Sequence, residues 1–194
     1  KCPGMPRMPS CVAGVAPSSP DAPWAWWLDT YSVDSPHDCD AFWRRCVELG
    51  AKPVETRVGP MELQIPAIEG IGGSLIYLVD RYGDRTIYDV DFVAVPDAAP
   101  VRTAGLTLID HLTHNVHKGN MDLWFGFYQG LFGFRQIRFF DIEGKFTGLH
   151  SRALTSPCGR IRIPVNEDRG ETGQIVEYLK RYNGEGIQHI AVGT

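Results

Sequence analysis

The sequence predicts an α+β fold assembled from repeats of one βαβββ module, and three observations carry that prediction. A helix followed by three strands is legible twice along the chain. Both helices end on leucine and glycine just ahead of a strand, as Leu49-Gly50 and as Leu131-Phe132-Gly133. The final residues then read as the opening strand of a further copy. Self-similarity at this spacing is the mark of a duplicated supersecondary unit.

Residues 1 to 30 stand apart. Six of the fourteen prolines fall there (Pro3, Pro6, Pro9, Pro17, Pro20 and Pro23). That composition favours an irregular, polyproline-like arm, and its PxxP spacing is also the pattern of an SH3-type ligand. Trp24, Trp26 and Trp27 read as a strand entering the folded part. The first module occupies residues 31–100. Ser35, Pro36, Asp38 and Asp40 form a helix start, with a capping hydroxyl, proline at the first helical position and negative charge at the positive dipole end. That helix runs to about Leu49 and stops at Gly50. Strands follow at Val54 to Val58, Ser74 to Asp80 and Thr86 to Val95, with turns at Gly70 to Gly73 and Tyr82-Gly83-Asp84.

The second unit occupies residues 101–194. Leu106 to Val116 is a strand. Asn120 caps a helix whose apolar side carries Leu123, Trp124, Phe127, Tyr128 and Leu131, and Gly133 closes it. Strands are expected at Arg135 to Asp141, Gly148 to Ser156 and Arg160 to Pro164. Thr172 caps a helix through Tyr182, with Lys180 and Arg181 at its negative end and Asn183-Gly184 after it. Gly186 to Thr194 is the opening strand of a third unit that the chain does not complete.

Composition narrows the function classes. The 194 residues are 43% hydrophobic, enough for a core. A net charge of −4 and a pI near 5.8 argue against nucleic acid or an acidic membrane as partner. No apolar run approaches a membrane span, and no secretory signal opens the sequence. The five cysteines (2, 11, 39, 46 and 158) form no CxxC pair and an odd number cannot all pair, which reads as free thiols in a reducing cytoplasm. Cys39 and Cys46, seven apart on a helix, can share a packed face. Gly70 to Gly73 lacks the strand–loop–helix context and the lysine of a phosphate loop.

His111 and His189 are the informative pair. Each sits in an opening strand, and they lie 78 residues apart (111 to 189), so only a fold that brings equivalent strands of two modules together lets them meet. Two imidazoles and a carboxylate hold iron(II) with three positions open. On spacing alone they read either as metal ligands or as two satisfied core histidines. His114, three residues after His111, faces the other side of its strand and reads as structural. His37, His117 and His150 read as solvated, in loops or helix starts. Asp110, adjacent to His111, is expected to point to the opposite face.

Four stretches resemble the 4-hydroxyphenylpyruvate dioxygenase family. They are Gly59-Pro60-Met61-Glu62-Leu63-Gln64-Ile65-Pro66-Ala67-Ile68 with Gly70-Ile71-Gly72-Gly73, then Ile109-Asp110-His111-Leu112-Thr113-His114-Asn115-Val116, then Ile163-Pro164-Val165-Asn166-Glu167, and Asn183-Gly184-Glu185-Gly186-Ile187-Gln188-His189. The resemblance covers roughly residues 33 to 194. It implies the vicinal-oxygen-chelate fold, in which βαβββ modules pair and curl mixed sheets around a metal. It also implies iron(II) as the only cofactor, with His111 and His189 as two of three ligands. The third, a glutamate on a later strand, has no counterpart here, so residues 101–194 are expected to be the first part of a catalytic domain, inactive alone. The family's substrate-pocket positions match Ser151, Pro164, Asn166, Gln174 and Gln188. Amide and hydroxyl groups suit a neutral phenol and a keto acid, although Asn166 and Gln174 lie near loops where polar residues are ordinary. The implied reaction, in tyrosine breakdown, converts 4-hydroxyphenylpyruvate and O2 to homogentisate and CO2, in a cytoplasmic enzyme that could be a homo-oligomer. Two alternatives stay open: 4-hydroxymandelate synthase, with the same substrate and metal, and a metal-free binding fragment.

Overall fold

The computed structural model describes residues 12–16, 26–29, 39–55, 58–59, 64–79, 92–93, 95–96, 104–143 and 148–194. Two five-stranded sheets contain the strands. The first half carries β1 (Val12–Ala16), β2 (Trp26–Asp29), α1 (Cys39–Glu48), β3 (Pro53–Val54), β4 (Ala67–Glu69) and β5 (Leu75–Val79). The second carries β6 (Leu108–Val116), α2 (Met121–Phe132), β7 (Arg135–Glu143), β8 (Gly148–Thr155), β9 (Arg162–Asp168), α3 (Gln174–Tyr182) and β10 (Gly186–Gly193).

Spatial order repeats between the sheets, β2-β1-β5-β4-β3 in one and β10-β6-β9-β8-β7 in the other. Helix α2 makes the crossover of the second module, so β6 and β9 run parallel while the remaining neighbours are antiparallel. In the first half β2 intervenes before the helix, and β1 runs antiparallel to β5. The duplication is therefore one of layout, with a reversed opening strand.

Helices α1 and α2 pack into one apolar cluster with both sheets. It joins Cys39, Cys46, Ile68, Ile76 and Leu78 of the first half to Val116, Tyr128, Leu131, Phe132, Leu154, Ile163 and Val165 of the second. Phe42 of α1 meets Phe132 of α2 with ring centroids 6.0 Å apart, and the Trp43 indole donates to the Ala67 carbonyl at 2.9 Å. Each large side chain so buried contributes roughly 1.5–3 kcal/mol. Among the described residues no helix is long and apolar enough to cross a membrane.

Several boundaries differ from the sequence reading. Residues 1 to 30 are not wholly an irregular arm: Val12–Ala16 and Trp26–Asp29 are sheet strands. The six prolines fall outside both runs in the sequence. The strand expected at Val54 to Val58 is only Pro53–Val54. The helix start at Ser35-Pro36 and most of the Thr86 to Val95 strand lie outside the described residues. The fourth strand of the second module is Arg162–Asp168, not Arg160 to Pro164, because Ile161 closes the preceding turn onto Ser156. Gly173, not Thr172, precedes α3. Asn120 begins α2 without capping it; the Glu167 carboxylate accepts from the Met121 backbone N–H at 3.0 Å instead. His150 lies in β8, where Arg169 donates to it at 2.9 Å, rather than in a loop.

Candidate functional site

The two histidines that the sequence singled out share a seam. Strands β6 and β10 pair edge to edge and antiparallel, with His111 opposite Ala191 and His189 opposite Thr113. The rings are therefore diagonal neighbours, with centroids 5.5 Å apart and an edge-on angle of 76°.

Alternation assigns the faces. Leu112, His114 and Val116 point toward the helix layer and are buried. His111, Thr113 and Asn115 take the other face. One row of register partners runs Asn115, Asn166, Ser151, Phe140 across four strands, and Pro164 lies two residues before Asn166 on the same face. Thus His111, His189, Ser151, Pro164 and Asn166 line one surface of the second sheet. Gln174, the first residue of α3, is exposed, and alternation does not assign it to that surface. Thr113 and Asn115 belong there although the sequence reading passed over them. The signal was available, since they follow His111 by two and four residues on one strand.

Two β-bulges shape the seam. Gln188 has no register partner between Ile187 and His189, and Asp110 has none between Ile109 and His111. A bulged residue breaks alternation and re-aims its side chain. Asp110 accordingly does not point away from His111: its Oδ2 accepts from His111 Nδ1 at 2.8 Å. Its other oxygen accepts from Arg162. Gln188 likewise turns toward its neighbour, Oε1 accepting from His189 Nδ1. Carboxylate and amide oxygens can only accept, so each Nδ1 carries a proton, and in the neutral ring Nε2 holds the lone pair. His189 Nε2 accepts from the Thr113 hydroxyl at 3.0 Å.

The electrostatics agree with this arrangement. Hydrogen bonding from His111, with Arg162 nearby, holds the Asp110 carboxyl below its ordinary range. Burial, then the charge of His111, pushes the His189 imidazole below its usual value, favouring the neutral ring a metal needs. His114 has a different task. Buried on the helix side, it donates from Nδ1 to the Leu112 carbonyl and accepts from the Tyr128 hydroxyl at 2.7 Å. Burial drives its pKa down to about 4.

Two imidazoles on one face, each with Nδ1 tied to an acceptor, leave Nε2 as the nitrogen for a divalent transition metal, with the Thr113 hydroxyl competing for that of His189. Among the described residues no set of three His, Cys, Asp or Glu that could hold a metal ion comes together. Both oxygens of Asp110 are engaged, Oδ2 with His111 and Oδ1 with Arg162.

Comparison with known proteins places the chain. Residues 35–93 match the family model described as hydroxyphenylpyruvate dioxygenase, HPPD, N-terminal. The chain is 61% identical to the 4-hydroxyphenylpyruvate dioxygenase of Pseudomonas aeruginosa over 146 residues, 75% of this chain and 41% of that protein. It is also 61% identical to hemolysin VllY of Vibrio vulnificus over 148 residues, 75% of this chain and 42% of that one. It thus spans about two fifths of the length of the curated relatives it matches. A mutant 4-hydroxymandelate synthase from Streptomyces coelicolor superposes with a TM-score of 0.60, covering 80% of this chain and 46% of the other. At 19% identity that likeness establishes the fold alone, the vicinal-oxygen-chelate arrangement. With this fold, the family-model match and relatives identical at 61% of aligned positions, the chain belongs to the 4-hydroxyphenylpyruvate dioxygenase family.

Proposed function

We propose that this chain contributes the first two iron(II) ligands, His111 and His189, and part of the substrate pocket of a 4-hydroxyphenylpyruvate dioxygenase. The observation that carries the reading is the meeting of those two rings, 5.5 Å apart on one sheet face, from strands that are remote in sequence. Iron(II) with open coordination positions would supply the redox chemistry with the keto acid and dioxygen.

The chain's own residues would do the rest. From His111 to Asn115 the strand advances four residues, ~13 Å, which leaves room for an aryl keto acid lying between the histidines and the polar row. Asn166 Nδ2 donates to Asn115 Oδ1 at 3.4 Å, which leaves the Asn166 carbonyl oxygen able to accept from a phenol. The Ser151 hydroxyl lies beside it on the next strand and can donate to the same oxygen. Pro164 adds an apolar contact without an unsatisfied N–H. Gln188 would orient substrate through its NH2, since its oxygen is held by His189. Gln174 would close the pocket from the start of α3. Substrate and O2 are small molecules; a cytoplasmic setting and a homo-oligomer complete the reading.

A graft tests it. The matching segment of the P. aeruginosa enzyme is replaced by this one, and homogentisate formation and iron content are measured. The graft should turn over, and His111→Ala or His189→Ala within it should lose both iron and activity. A graft that retains iron and activity after either substitution would refute the assignment.

A further inference from the structure

We propose that Asp110, clamped by Arg162, is a positioning residue that fixes the ring of His111 and the nitrogen it presents to the metal. The inference deepens the reading of His111 as a ligand and rests on it. Consecutive residues of a regular strand face opposite sides and cannot bond through their side chains. Here the chain inserts one unpaired residue into β6, at Asp110, immediately before the histidine. The bulge brings the carboxylate onto the His111 side, where Oδ2 accepts from Nδ1 at 2.8 Å.

The carboxylate is itself held. Arg162, on β9, donates to Oδ1, so the two oxygens are divided between guanidinium and imidazole. The anionic acceptor requires a proton on Nδ1 and leaves Nε2 as the only basic nitrogen of the ring. A carboxylate behind a ligating imidazole fixes tautomer and orientation and raises ligand basicity; losing such a partner typically costs 10–100-fold in metal affinity. The second bulge supports a common design. Gln188, inserted into β10 immediately before His189, bonds that ring through the same nitrogen. One histidine is thus held by an anionic acceptor and the other by a neutral amide.

The experiment uses the complete 194-residue chain, 15N-labelled, with cobalt(II) or zinc(II) as probe. Long-range 1H–15N spectra of the metal-free protein report the His111 tautomer, and metal titration reports affinity. Parent chain and Asp110→Asn, which keeps an accepting oxygen, should hold Nδ1–H. Asp110→Ala should shift His111 toward the Nε2–H tautomer and weaken cobalt binding about 10–100-fold. Arg162→Gln should weaken it less and leave the tautomer in place. Asp110 and Arg162 are partly exposed, so the amide spectrum should remain that of the folded chain. If Asp110→Ala keeps both the tautomer and the affinity while His111→Ala loses metal, the positioning role is wrong and the ligand assignment stands. If His111→Ala binds cobalt as the parent does, both fall.

Discussion

Replacing Glu185 with alanine removes a carboxylate that fastens the start of β10 to the end of β6 and the first turn of α2. Its Oε1 accepts from the His117 backbone N–H at 2.8 Å and from Asn120 Nδ2 at 2.7 Å, and its Oε2 accepts from the Trp124 indole at 2.6 Å. Hydrogen bonds to a charged group contribute about 1.5–3 kcal/mol each. His117 is exposed and regains water, so its bond should count for little. The Asn120 and Trp124 bonds are part-buried, so each falls toward the lower end of that range or just under it, and their loss should cost about 2–4 kcal/mol together. For a chain of this size that lowers Tm by roughly 5–15 °C. Glu185→Gln keeps one accepting oxygen but turns an NH2 group toward a donor, and should fall between parent and alanine. Urea denaturation read by Trp fluorescence, with calorimetry beside it, measures both variants. An alanine variant within about 0.5 kcal/mol of the parent, the range of an ordinary surface change, would refute the fastening role.

Three further outcomes follow from the seam and its neighbours. Thr113→Val removes the hydroxyl that competes for the His189 Nε2 lone pair; forfeiting a hydrogen bond worth about 1 kcal/mol, it should tighten cobalt binding roughly 5-fold, and unchanged or weaker binding would contradict the competition. His189→Ala should strip the metal. Gln188→Ala should keep it at reduced affinity, because Gln188 acts on the same ring rather than from the far side of the strand, and equal metal loss in both variants would argue against that division. His114 is neutral when folded, with a pKa near 4 against about 6.5 unfolded. The unfolded chain therefore binds the extra proton. Stability from this group is complete above pH 6.5 and declines as pH falls toward 4, by about 1.4 kcal/mol per unit. An imidazole resonance of His114 titrating near pH 6.5 in the folded protein would overturn this.

The opening strands, their histidines and the helices between them were legible because each obeys a period that the residues display. Val116 and Leu112 alternate with Asn115 and Thr113, and Gly133 closes α2 in the left-handed conformation it suits (φ 66°). The bulges were not legible. Nothing in the identity of Asp110 or Gln188 marks an inserted residue; a bulge is defined by a partner strand, and the partners lie far away in sequence. Rigid alternation consequently put the Asp110 side chain on the wrong face. Strand β1 was obscured for another reason: six prolines dominate the composition of residues 1 to 30, yet the proline-free run Val12–Ala16 pairs with both β5 and the tryptophan-bearing β2 that the sequence did show.

The edge-to-edge pairing of β6 and β10 also sets an order of events during folding. Between the two strands lie two helices and three strands, and bringing ends 78 residues apart together carries a loop-closure penalty of about 4 kcal/mol from its length alone. Non-local pairings of that kind are slow to form. The intervening helices and strands shorten the effective loop once they have folded, so the seam closes after them rather than before. A cobalt ion ligated by both imidazoles would therefore report the completion of this half of the molecule, its absorption rising with the slowest refolding phase while the helical signal is already in place.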